Sequence, residues 1–119
     1  MNPRPDLFST IDPVTRIVVE DQLGRKHNIT GREAWALNAL IERGELGCTP
    51  IDYPAPRWSH YVFLLRGRGI DVETIHEGHG GAFSGHHGRY VLRSAVKVLS
   101  VTRASEEWAS KSKGARHAA

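Results

Sequence analysis

Apolar positions along the chain switch between a period of two and a helical period, and each switch marks a boundary. Residues 15–20 and 25–29 are β-rich runs separated by Asp21-Gln22-Leu23-Gly24, a turn-like cluster ending in glycine, and together they predict a hairpin. Thr30-Gly31-Arg32-Glu33 then has the form of a capping box. Thr30 would accept from the Glu33 N–H while the Glu33 carboxylate reaches back to the Thr30 N–H, so a helix is expected from there. Ala34, Leu37, Leu40 and Ile41 recur at helical spacing, with Trp35 at the margin of the stripe and Gly44 placed to end it. The predicted helix covers residues 31–43.

Thr49-Pro50-Ile51-Asp52 again resembles a helix start, but Pro54 and Pro56 leave room for about one turn. Pro56 can open a third helix, 56–66, in which Trp58, Tyr61, Val62 and Leu65 make an apolar stripe while Ser59, His60, Phe63 and Arg66 face elsewhere. Gly67 and Gly69 are expected to end it. Residues 70–75 alternate with period two, placing Ile70, Val72 and Thr74 on one face of a strand. A return strand is expected at 89–93, after a glycine-rich loop over 76–88 that holds five glycines. Residues 95–101 can add another strand. The expected organisation is a flexible arm over 1–13, one domain over 14–101, and a basic tail over 102–119, either weakly helical or disordered.

Composition narrows the class. With 119 residues, 39% hydrophobic and 24% charged, the chain suits one modest globular domain. No stretch approaches the roughly 18 to 20 apolar residues of a membrane span, and residues 1–10 lack the apolar run of a signal peptide. Cys48 is alone, which rules out an intrachain disulfide and a cysteine-based metal framework and fits a reducing, cytoplasmic setting. Cys48 itself reads as a small buried hydrophobe.

Charge is divided unevenly along the chain. Residues 1–56 carry six Lys/Arg against eight Asp/Glu, net −2, whereas residues 57–119 carry ten against five, net +5. Five of the seven histidines lie between positions 60 and 87. This asymmetry raises the expectation of a polyanionic partner.

Strands, helix, stunted helix, helix and then a two-stranded hairpin make an α+β element order. With the stretches ITGREAWALNALIERGELGCTP, RWSHYVFLLRGRGIDVETI and RYVLRS, residues 30–93 resemble the small winged helix-turn-helix domains of bacterial and phage proteins. The chain departs from that pattern at TPIDYPAP, where a full second helix usually braces the third. The resemblance implies double-stranded DNA binding by a transcriptional regulator or mobile-element accessory protein. Helix 56–66 would enter the major groove, and the wing over 76–88 would meet the backbone or minor groove.

On that reading Arg57, Ser59 and His60 would meet bases or phosphates from the leading turn of the helix. Arg66 and Arg68 would hold phosphates or simply complement the helix dipole. His79, His86, His87 and Arg89 would give the wing its donors. Trp35, Trp58 and Tyr61 could be imagined stacking on bases, but their spacing reads as core. Phe63, on the outward face, implies either a wider core or a partner interface.

The histidines raise a metal alternative, His76-x-x-His79 and His86-His87, but a five-glycine loop is a poor scaffold for a tetrahedral site. Neither a nucleophile elbow, a P-loop nor a paired-carboxylate motif occurs, so no enzyme and no cofactor is expected. The alternative to DNA binding is a winged-helix protein-interaction module using the same surface. An exposed strand edge at the hairpin or at 95–101 would permit a homodimer.

Overall fold

The computed structural model describes residues 12–79 and 85–109. Strand β1 (Val14–Glu20) pairs antiparallel with β2 (Lys26–Thr30), as the two β-rich runs and the turn cluster between them predict. The turn between them is organised by Asp21, whose Oδ1 accepts from the Leu23 and Arg25 N–H groups and whose Oδ2 meets Arg25 and His27. These bonds favour the ionised form, led by His27, and hold the Asp21 carboxyl far below the usual carboxylate range. Val14, Ile17 and Val19 all point into the core because an irregularity in the ladder near residue 15 resets the alternation.

Helix α1 (Gly31–Arg43) has the predicted bounds, and Gly44, with φ of 56°, donates its N–H to the Leu40 carbonyl at the C-terminus. The capping box is not formed. Gly31, at the first helical position, has φ of 72°, so the chain enters the helix through a left-handed residue, and the Thr30 side chain makes no capping bond. Glu33 instead accepts from Arg68 at 2.6 and 3.1 Å. Two charge-assisted bonds from a planar fork outweigh one local N–H contact. The buried surface of α1 is also wider than its predicted stripe, with Trp35, Ala36 and Ala39 joining Ala34, Leu37 and Leu40. The helix packs against β1 and against the next helix.

After a short 3-10 turn (Gly44–Leu46), the stunted helix is a single turn. Thr49 Oγ1 caps it by accepting from the Ile51 and Asp52 N–H groups, and Tyr53 N–H donates to the Thr49 carbonyl. Helix α2 (Trp58–Gly67) starts two residues later than expected, with Arg57 rather than Pro56 at its threshold. Its buried residues are the predicted Trp58, Tyr61, Val62 and Leu65. At its exit the Gly69 N–H meets the Arg66 carbonyl and the Ile70 N–H meets the Leu65 carbonyl, a Schellman motif with Gly69 at φ of 87°.

Strand β3 (Val72–His79) pairs antiparallel with β4 (Gly85–Leu92), in register from Val72↔Leu92 to His79↔Gly85. The loop expected over 76–88 is therefore largely ladder, and only residues 80–84 fall outside the description. Within that ladder Gly88 stands opposite His76, Gly78 opposite His86 and Gly85 opposite His79. Strand β5 (Lys97–Arg103) pairs with β1, completing a three-stranded sheet in the order β2-β1-β5. That strand runs two residues beyond the expected domain limit at 101, and residues 104–109 are helical. Residues 1–11 of the arm and 110–119 of the tail lie outside the described residues.

Candidate nucleic-acid interface

The core positions α2. Trp58 lies at its first turn, 3% exposed, with its ring centroid 5.5 Å from Trp35 and stacked on Tyr90 of β4 at 5.7 Å and 17°. Its indole Nε1–H donates to the Tyr53 carbonyl at 2.7 Å. One side chain thus joins the stunted turn, α1, α2 and the wing, so the leading turn of α2 and the base of the wing are held as one unit. Tyr90 is fastened a second time, by paired backbone bonds with Cys48 at 2.8 and 2.9 Å. Burial pushes the Cys48 thiol up to about 12, which keeps it protonated and unreactive.

The opposite face of α2 is open. Arg57, Ser59, His60, Phe63 and Arg66 are exposed, and the helix WSHYVFLLRG contains no acidic residue. Between α2 and β3 runs a groove lined by Ser59, Val62 and Arg66 on the helix side and by Thr74, His76 and Tyr90 on the wing side. The leading turn of the helix and the near face of the wing therefore border one depression.

The nine residues expected to touch nucleic acid separate into three groups. Arg57, Ser59 and His60 lie together at the exposed start of α2, and Arg57 makes no side-chain hydrogen bond or ion pair with the described residues. The second group is occupied within the molecule. Arg66 donates to the Val72 carbonyl at 2.7 and 3.0 Å and to Thr74 Oγ1 at 2.9 Å. Arg68 binds Glu33, Arg89 binds Glu77 at 2.7 Å and the Leu46 carbonyl at 2.7 Å, and His87 Nε2 lies 3.1 Å from Glu77. Arg66 and Arg68 hold the helix exit to β3 and α1, Arg89 holds the wing to the 3-10 turn, and His87 shares Glu77 with Arg89 within the wing. For His79 and His86, in the third group, only the backbone is described, at ladder positions opposite Gly85 and Gly78.

The pairing changes the meaning of the charge asymmetry. The +5 of residues 57–119 is not an open field along the wing, because Arg89 is matched by Glu77, Arg93 by Glu73 and Arg68 by Glu33. The last of these acids comes from the net-negative part of the chain, 35 positions away. Lys111, Lys113 and Arg116 lie outside the described residues. Among the described residues no three His, Cys, Asp or Glu side chains converge as a metal-binding group.

Thr74 and Tyr90 were not expected to line the site. The signal was present in the period-two pattern, because residues 72, 74 and 76 share one strand face, and their cross-strand partners Leu92, Tyr90 and Gly88 share it with them.

The Glu77 cluster makes a pH prediction. Its hydrogen bond from Arg89, and then that from His87, hold the Glu77 carboxyl below its usual 4.5. A depressed folded-state value stabilises the fold fully above that usual value and ceases to do so as pH falls through the lower, folded one. Acidification well below 4.5 should therefore release Arg89 from Glu77 and loosen its hold on the Leu46 carbonyl before the core melts. Amide exchange at β4 should rise ahead of exchange in α1. Simultaneous loss of protection in both would show that Glu77 does not govern the wing.

A family model described as a winged helix domain matches residues 26–102. No curated protein and no solved structure matches the chain.

Proposed function

Because this chain belongs to the winged helix domain family, we propose that it binds double-stranded DNA in the cytoplasm, as a transcriptional regulator or an accessory protein of a mobile element. The observation that carries this reading is the acid-free outer face of α2, which offers Arg57 without a hydrogen-bond or ion-pair partner among the described residues, beside Ser59 and His60 and next to the wing. A major groove about 12 Å wide admits such a helix, and donors on its leading turn can meet guanine O6 and N7 or a phosphate. His76 extends this surface onto the wing side of the groove. Arg66, Arg68, His87 and Arg89 serve mainly to hold the helix and wing in place. That revises the contact set toward the start of α2.

Fluorescence anisotropy of a labelled random-sequence duplex at 50 and 200 mM salt is the test. Affinity should fall with salt, but with a logarithmic slope no steeper than about −4, corresponding to about four neutralised phosphates, because so many arginines are internally paired. Arg57→Ala should weaken binding about 5- to 150-fold, the range of one good bidentate contact, with the circular-dichroism spectrum unchanged. Salt-insensitive or undetectable binding would remove the proposal.

A further inference from the structure

Phe63 is 68% exposed in the middle of the outer face of α2. Exposed apolar side chains are ordinary when scattered, but this one is held. The ring of His60, one helical turn earlier, lies parallel to it at 17° with centroids 6.4 Å apart. Behind the pair, the helix is anchored by Trp58, Tyr61, Val62 and Leu65, all buried. Phe63 therefore projects from a fixed platform among polar neighbours.

The chemistry of that face specifies what the ring can meet. Arg57, Ser59 and His60 supply hydrogen-bond donors, and α2 presents no carboxylate. Of the nearest acids along the groove, Glu73 is paired with Arg93, and Asp71 lies past the far end of the helix. A surface of donors around one apolar ring complements a surface of acceptors around one apolar group. The major-groove edge of DNA has that composition where a thymine occurs, because thymine sets a C5-methyl group beside its O4 acceptor, and guanine adds the O6 and N7 acceptors. A protein partner would have to satisfy the same donors from its own carbonyls and carboxylates while covering Phe63.

Resting on the DNA-binding reading above, we propose that Phe63 is a specificity-determining residue that packs on the C5-methyl group of a thymine in the major groove. It lies six positions after Arg57, an advance of about 9 Å along the helix. Base pairs stack about 3.4 Å apart, so the thymine falls within about three base-pair steps of the base or phosphate that Arg57 holds. The same contact is open to 5-methylcytosine, which carries the methyl at the same ring position.

The test begins with a pool of 30-base-pair duplexes with randomised centres, from which the full chain selects its tightest binders. Each thymine of a selected duplex is then exchanged singly for uracil, which removes only the methyl. At one position, within three steps of the base or phosphate whose loss mimics Arg57→Ala, the exchange should weaken wild-type binding about fourfold, the cost of uncovering one methyl-sized group. Phe63→Ala should bind the thymine and uracil duplexes equally, and Phe63→Leu should keep part of the difference. Phe63 is exposed, so both variants are expected to fold, which circular dichroism checks. Absence of any uracil-sensitive position, or equal sensitivity in wild type and Phe63→Ala, would overturn the thymine contact while leaving DNA binding intact. Duplex affinity untouched by Phe63→Ala would do so too. Failure of the pool to bind in a salt-dependent way would overturn both this inference and the DNA-binding reading beneath it.

Discussion

Trp58→Ala is expected to lower the stability of the domain by about 3 to 5 kcal/mol, a large part of the roughly 5 to 15 kcal/mol that a domain of this kind has available. The indole is almost wholly buried, contacts Trp35 and Tyr61, stacks on Tyr90, and satisfies the Tyr53 carbonyl through Nε1. Truncation would leave a cavity where four segments meet and a buried carbonyl without its donor, which by itself costs about 1 to 3 kcal/mol. Trp58→Phe narrows the comparison, because it keeps a six-membered aromatic ring in place while removing the donor and the smaller ring of the indole. It should cost less than half as much as the alanine variant. Urea unfolding followed by circular dichroism measures both. A loss below 1 kcal/mol for Trp58→Ala would mean that the wing and the leading turn of α2 are not joined through this side chain. If they are, the alanine variant should also bind duplex DNA more weakly under conditions in which it remains folded, since the two halves of the proposed interface would no longer be held in register.

Gly47→Ala is the second large effect, and it arises at the seam where the 3-10 turn packs against Tyr90 and Val91 of β4. Gly47 has φ of 67° and ψ of −176°, a region that is essentially glycine-only and strains any other residue by about 1 to 3 kcal/mol. A Cβ there would lie 2.5 Å from the Tyr90 carbonyl oxygen and 2.8 Å from Val91 Cγ2. The carbonyl cannot retreat freely, because it accepts from the Cys48 N–H, and the Tyr90 N–H donates back to the Cys48 carbonyl. Overpacking of this kind costs about another 1 to 3 kcal/mol, so a total of about 2 to 6 kcal/mol is expected. Gly24→Ala is the control: its φ is 80°, but nothing lies within 4 Å of the added carbon, leaving backbone strain alone. Chemical-shift changes in Gly47→Ala should concentrate on Cys48, Arg89, Tyr90 and Val91, the seam between the 3-10 turn and the wing. Equal stability of the two variants would show that the close approach of Gly47 to β4 has no energetic consequence.

These two positions also show where local reasoning ends. The stripe of Trp58, Tyr61, Val62 and Leu65 announces the buried face of α2, but nothing in its spacing says that Trp58 will stack on a tyrosine 32 positions later. Gly47 reads as one of several glycines after a helix, and its close packing against Tyr90 becomes visible only when β4 is in place. The capping box at Thr30 and Glu33 is a sharper case. The motif is present in the sequence, yet the carboxylate is taken by Arg68, because a distant guanidinium can offer two bonds where the local backbone offers one.

The candidate site divides in the same way. Arg57, Ser59, His60 and Phe63 could be read as an exposed helix face, since exposure of one face follows from burial of the other. The internal partners of Arg66, Arg68, His87 and Arg89 could not be read, because a basic residue in a sequence looks the same whether or not the fold brings an acceptor to it. The +5 balance of residues 57–119 described composition correctly and said nothing about where that charge is neutralised.

What the amino-acid order determined by itself is therefore what depends on neighbours within a turn or a strand pair: the β1–β2 hairpin, the span of α1, the one-turn remnant before Pro54, the buried stripe of α2 and the glycine corner into β3. Tertiary structure alone decided the pairing of β5 with β1, the extension of the wing strands to His79 and from Gly85, and which cations remain free. The physical reason is range. Hydrophobic period, turn chemistry and proline act over a few residues and leave their mark in the local pattern, whereas ion pairs and strand partners are chosen by whichever groups the packed core brings within about 3 Å of one another.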